Sequence, residues 1–292
     1  MVLNLDLAAI AAATGLQPDD PEAWSSAAPP LHERGVRLDW LIGFLKEVDS
    51  QRRLIVDRHE DQRRASIHFD AVPWPEALPP EATGDLNGEI VALDVVRPMT
   101  ARAKAPLYAR VPEEHRGRPD VFVSHAWANP LIGGSAFASL YALASPYRSH
   151  GPATFVWLDL VCYNQHRPEA IADDMRSVIH HIGRVALPVI NAVPFTRLWC
   201  LWELLCAFTT KAEITVWEAN GSVYDLGFVA RTFEETFVSV TRARTRLAAD
   251  RRHILDAMVD TFGSLEAADR SVRQLVLEQL SKDSDKPWNR PG

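Results

Sequence analysis

The chain has little cysteine and no pattern in what it has. Cys162, Cys200 and Cys206 are the only three in 292 residues. An odd number without a CxxC spacing argues against a disulfide framework and fits a reducing, cytoplasmic setting. Positive charge is also short, with 31 Lys and Arg against 38 Asp and Glu and a net charge of −7. That argues against nucleic acid, whose binding needs clustered cations. It leaves room for a small anionic ligand held by one or two arginines. No uninterrupted apolar run approaches the roughly 18 residues that span a bilayer, so no membrane partner is expected. The N-terminus, MVLNLDLAAIAAATG, has no basic leader before its apolar run and carries Asp6. It reads as a short helix and not as a signal peptide. The chain contains no GxGxxG, no GxxxxGK[ST] and no GxSxG, so a Rossmann fingerprint, a P-loop and a serine-hydrolase elbow lack support. His180 and His181 are adjacent and lack the i, i+4 spacing of a helical zinc pair, and His166 stands alone, so no metal is expected.

The rest is ordinary for a globular protein: 47% hydrophobic and 24% charged residues. The length suits about two domains. Residues 1–70 read as helical, with Leu38, Leu41, Ile42, Phe44 and Leu45 at helical spacing. Pro73, Pro75, Pro79 and Pro80 break regular structure, so 71–118 reads as a connector and polar lead-in with one short strand or helix. The rhythm changes at Asp120. Residues 120–124 form a short apolar run of the kind found in buried parallel strands. Gly133 and Gly134 precede an apolar-rich helix, SAFASLYALASPY. Thr154 to Leu158 reads as a second strand. Asp173 to Gly183 reads as a helix with Met175, Val178, Ile179 and Ile182 on one face and Gly183 as its stop. Val185 to Ile190 reads as a third strand despite Pro188, Trp199 to Thr209 as a helix and Ile214 to Trp217 as a fourth strand. This alternation predicts an α/β core over 119–220, a parallel sheet with helices on both faces. Residues 221–281 read as two or three amphipathic helices packed on that core, and 282–292 as a flexible tail.

Three groups of residues are candidates for chemistry. Glu203 sits in LWCLWELLCAF, a helix apolar on every face and therefore buried. An ionised carboxylate is rarely buried without a partner, and desolvation raises its pKa. Such a carboxylate is either functional or paired with an arginine such as Arg184 or Arg197, or it caps a backbone group. Ser124, His125, Trp127 and Asn129 follow the first strand and line a pocket or cap a turn. Asp159, Cys162, Asn164, Gln165 and His166 follow the second strand. Asp159 is a candidate for a ribose hydroxyl or for orienting the loop, and the amides are candidate ligand contacts. If the sheet is parallel, the three groups converge at the carboxyl ends of its strands, where ligands sit in such sheets. Cys200 is better placed for packing than as a nucleophile, having no activating base in its apolar helix.

These residues resemble the TIR domain family. DVFVSHAW resembles its first strand, FVWLDLVCYNQH its second strand and following loop, SVIHHIGRVALPVI the segment through the third strand, and RLWCLWELLCAF its Trp-Cys-x-x-Glu helix. The order SHAW, NQH, WCLWE resembles a TIR-like branch, over roughly residues 88–280. The resemblance implies a flavodoxin-like sheet with helical N- and C-terminal extensions. It also implies cleavage of the nicotinamide–ribose bond of NAD as substrate, with no further cofactor and with Glu203 as the catalytic carboxylate. Products in the family include hydrolysed, cyclised and base-exchanged forms. Many members self-associate through the loop after the second strand, here about Tyr163 to Ala172, which implies a homo-oligomer. This chain has His125-Ala126-Trp127 where basic residues often occur in the family. Arg197 is a candidate for the pyrophosphate, and Trp127 or Trp199 for stacking on a base. Two alternatives stay open: a nucleoside or nucleotide N-glycosidase or transferase, and a non-catalytic signalling module.

Overall fold

The computed structural model describes residues 5–22, 28–67, 86–127, 129, 153–166, 171–189, 192–218, 226–245 and 248–284. The helix expected after Gly134, the proline-rich part of the connector and the end of the tail lie outside them. In chain order the strands are β1 (Gly35–Arg37), β2 (Arg116–Gly117), β3 (Val121–Val123), β4 (Phe155–Trp157), β5 (Arg184–Val189) and β6 (Glu213–Glu218). The principal helices are α1 (Leu7–Ala13), α2 (Leu38–Ser50), α3 (Arg52–Ile67), α4 (Asp159–Cys162), α5 (Ile171–Ile182), α6 (Val193–Thr196), α7 (Leu198–Thr210), α8 (Leu226–Thr236), α9 (Ala248–Phe262) and α10 (Leu265–Ser284). The architecture is mixed α/β. The chain divides into two compact units, Met1–Pro119 with Trp127–Arg167 and Asp120–Ala126 with Pro168–Gly292.

In the first unit β1 pairs antiparallel with both β2 and β4, in register Val36↔Arg116 and Val36↔Val156. The stretch read as helical thus contains a strand, and the pairings of that strand are antiparallel. Three residues are too few for a periodicity to show. Contact makes this strand: a Cβ on Gly35 would meet the Gly117 carbonyl oxygen at 2.7 Å, and one on Gly117 would meet the Phe155 ring at the same distance. Val36 is fully buried, and α2 starts at once, with the Leu38 N–H donating to the Thr154 carbonyl at 2.9 Å. One face of α2 is buried, from Leu38 through Leu41, Phe44 and Leu45 to Val48. The Trp40 indole donates to the Thr14 carbonyl at 3.0 Å and ties α1 to it. Residues 91–118 read as one short strand or helix and a polar lead-in; residues 88–99 are helical. Asn87 caps their start by accepting from the Ile90 N–H at 2.9 Å, and Val91–Val96 is wound as a π-helix.

In the second unit β3, β5 and β6 are parallel, with β5 in the middle. Phe122 lies level with Val185 and Ala186 with Val123, and β5 pairs with β6 from Arg184↔Glu213 to Val189↔Glu218. Pro188 is tolerated for a geometric reason. Ala186 accepts from the Ser124 N–H at 2.9 Å, so even-numbered positions of β5 turn their backbone polar groups toward β3. β3 ends at Val123, and no β3 residue lies opposite Pro188 to need its missing N–H.

α5 shows the expected face, with Met175, Val178 and Ile179 buried and Asp173, Asp174 and Arg176 exposed. Gly183 ends it at φ +73. α7 packs against α5 and is buried on almost every side, from Leu198 to Ala207 with Trp199 half-buried. It ends in a left-handed Lys211 (φ 60), with the Ala212 N–H reaching back to the Ala207 carbonyl at 2.9 Å. α10 packs on α7, α8 and α9, and Phe195, Phe233 and Phe237 form a ring cluster with centroids 5.2 and 5.0 Å apart. Among the described residues no helix is long and apolar enough to cross a membrane.

Candidate functional site

In the second unit β3 delivers Ser124 to α7. The backbone of Ser124 continues the ladder to Ala186, while its hydroxyl donates to Glu203 Oε2. Ser124 has no exposed surface and Glu203 has 7%. A carboxylate is therefore held in an apolar helix by a hydroxyl from a strand end 79 residues away in sequence. The Glu203 charge also helps raise the thiol pKa of Cys206, behind the larger effect of burial. Arg184, named from the sequence as a possible partner of Glu203, instead lies 3.4 Å from Glu213 on the surface.

His125 follows Ser124. It is half-buried, and its Nε2 has no hydrogen-bond partner among the described residues. Burial lowers its pKa to about 4, so the ring is neutral near pH 7. Arg197 precedes α7, and its backbone bridges to Arg244. The Trp199 indole N–H donates to Asp250 at 3.2 Å, which anchors its ring to α9.

In the first unit the loop after β4 is tied to its surroundings. Asp159 Oδ2 accepts from the Trp127 indole N–H at 2.6 Å, and Oδ1 from the Leu160 N–H at 2.7 Å. Burial still raises the Asp159 pKa to about 6 against these two donors. Gln165 donates to the Asp159 carbonyl at 2.8 Å, and Asn164 to the Lys104 carbonyl at 2.8 Å. His166 Nε2 lies 2.9 Å from the Thr100 hydroxyl. That hydroxyl donates to the Val96 carbonyl at 2.8 Å, so the His166 ring nitrogen is the donor. Nothing in the sequence marks Thr100 and Lys104, which lie 66 and 60 residues from their partners. Asp94 is buried on the π-helix and lies 2.6 Å from His59 Nδ1. An aspartate inside the apolar run VALDVV was its one signal. Asn129 is 2% exposed, and its Oδ1 has no hydrogen-bond partner among the described residues.

Cys162, Cys200 and Cys206 are buried and unbridged. Burial pushes the Cys162 thiol up to about 12, which removes it as a thiolate nucleophile. Among the described residues no group of three or more His, Cys, Asp or Glu side chains is placed to hold a metal ion.

The two perturbed groups give stability opposite pH dependences. His125 falls from 6.5 to about 4, so the folded chain binds fewer protons than the unfolded one across that interval. Stability present above pH 6.5 is lost as pH falls toward 4. Asp159 rises from 3.8 to about 6, so the folded chain binds more protons and gains stability as pH falls through the same range. Between pH 6.5 and 4, His125→Asn loses less stability on acidification than the native chain, and Asp159→Asn loses more. Urea unfolding at stepped pH measures both slopes.

Compared with protein-family models, with curated proteins and with solved structures, the chain matches none.

Proposed function

We propose that this chain is a TIR-like enzyme that cleaves the N-glycosidic bond of NAD, with Glu203 as its catalytic carboxylate. The observation that carries this reading is the buried Ser124–Glu203 pair at the carboxyl end of β3. The Asp-Val-Phe-Val-Ser strand and the Trp-Cys-x-x-Glu helix, two stretches that resemble the family, meet there through one hydrogen bond. Parallel β3, β5 and β6 with α5 and α7 suit the flavodoxin-like arrangement the resemblance implies.

The chemistry needs little more than a placed charge. Nicotinamide leaves as a neutral base from a cationic ring, so general-acid help is small. Positive charge develops on the ribose as its C–N bond breaks, and a carboxylate close to it stabilises that oxocarbenium-like state. Glu203 supplies the charge and accepts from the ribose hydroxyls, while Ser124 fixes its rotamer. His125, neutral at pH 7, adds no competing positive charge. Arg197 is the candidate for the pyrophosphate. The reading includes self-association through the loop after β4 and a cytoplasmic location, which unbridged Cys162, Cys200 and Cys206 suit.

The test is incubation of the purified chain with NAD and, separately, with nucleoside monophosphates, with products resolved by mass. Free nicotinamide is the expected result. Free purine or pyrimidine base from a monophosphate, with NAD intact, would replace this reading with a nucleotide N-glycosidase.

A further inference from the structure

We infer that Trp127 and Asn129 of the first unit form a subsite for a planar heteroaromatic ring bearing an N–H donor, such as a ring carboxamide or exocyclic amine, with Asn129 reading the donor and Asp159 acting as a positioning residue for Trp127. This deepens the glycosidase reading and rests on it for the identity of the molecule that carries the ring.

Two observations support it. The first is a polar group buried without a partner. Asn129 is 2% exposed, and its Oδ1 accepts no hydrogen bond from any described residue. Leaving a buried acceptor unsatisfied is costly, so such a group is either strain or a place kept for a ligand's donor. The second is a tryptophan tied once at its ring and once at its backbone. The Trp127 indole N–H is held by Asp159 at 2.6 Å, and the Trp127 carbonyl accepts from the Glu89 N–H at 3.3 Å. The second anchor comes from the start of the helical stretch capped by Asn87.

Asp159 suits this role better than direct contact with a ligand. Both its oxygens already accept, one from Trp127 and one from Leu160. Its backbone carbonyl accepts from Gln165, which ties the loop to the same point. A ring stacked on an indole held this way keeps its freedom to slide unless an edge group is read. Asn129 lies two residues further on, and its unpartnered Oδ1 is the acceptor we assign to that edge. A ring substituent that only accepts would face the Asn129 oxygen acceptor to acceptor and bind weakly.

Nicotinamide and methyl nicotinate separate these cases, since both are neutral and differ in whether the substituent can donate. The full-length chain is titrated with each, and binding is followed on the indole N–H resonance assigned to Trp127 through Trp127→Phe. Nicotinamide should bind at least about tenfold more tightly than the ester. Asn129→Leu should erase that preference, and Asn129→Asp, which keeps acceptors there, should retain it. Asp159→Asn, left with one acceptor for two N–H groups, should weaken both rings alike. Equal affinity of the native chain for the two rings overturns the assignment, as does a preference that survives in Asn129→Leu. If Asn129→Leu does not fold, the native ratio and Asn129→Asp decide it. Ring binding does not require Glu203. A chain that discriminates the rings but leaves NAD intact keeps the subsite and removes the glycosidase reading. One that cleaves NAD but binds both rings equally does the reverse.

Discussion

Glu203→Gln is expected to lower nicotinamide release from NAD by about 10²–10³-fold while the chain stays folded. Gln has nearly the shape of Glu, and its carbonyl can still accept from the Ser124 hydroxyl, so the packing of α7 is kept. What disappears is the negative charge, in a helix where apolar neighbours screen it poorly. Leu204, Leu205, Cys206 and Ala207 are each 2% exposed or less, and a charge there acts through a lower effective dielectric than at the surface. Ser124→Ala removes the donor and keeps the charge, so its loss should be smaller, about tenfold. It should appear mainly in kcat, because the carboxylate is less well aimed and not absent. The measurement is steady-state nicotinamide release from both variants and the native chain, with far-UV circular dichroism as the folding control. A Glu203→Gln variant working at the native rate would end the proposal.

Much of the second unit was legible in the sequence because its signals are local. VFV, the 185–190 run and the 214–217 run are apolar enough to stand out as strands. α5 carries a clean helical period that ends in a glycine with positive φ. Glu203 was legible for a similar reason: one charge inside an apolar helix is conspicuous by itself. The first unit was less legible. β1 depends on Gly35 and Gly117 letting backbones and the Phe155 ring approach closely, and no window of three residues contains that information. The loop residues Asp159, Asn164, Gln165 and His166 looked alike in sequence, as polar groups after a strand. The structure separates them by partners in distant segments: Trp127 for Asp159, Lys104 for Asn164 and Thr100 for His166. Polar composition marks where hydrogen bonds are made, but whether the partner is the protein or a ligand depends on contacts 32 to 66 residues away.

The residue before Glu203 carries the largest expected effect on stability. Trp202 is 1% exposed, and its indole N–H donates to the Ala172 carbonyl at 3.0 Å, which joins α7 to the first turn of α5. Trp202→Ala removes the ring and the hydrogen bond together and leaves a cavity between two packed helices. The expected cost is about 3–5 kcal/mol, against a total of about 5–15 kcal/mol for a typical domain. Trp202→Phe separates the two contributions. It keeps most of the apolar volume and loses the N–H, so its cost should be nearer 1 kcal/mol. Because Trp202 and Glu203 are adjacent on α7, movement of the helix into the cavity also shifts the carboxylate away from Ser124. Trp202→Ala should therefore lose activity at temperatures where it is still folded, whereas Trp202→Phe should not. Urea unfolding of the three proteins gives the stabilities, and nicotinamide release below the unfolding midpoint gives the activities. An alanine variant within about 1 kcal/mol of the native chain would mean that α5 does not hold α7 through this ring, and the position of Glu203 would then need another support.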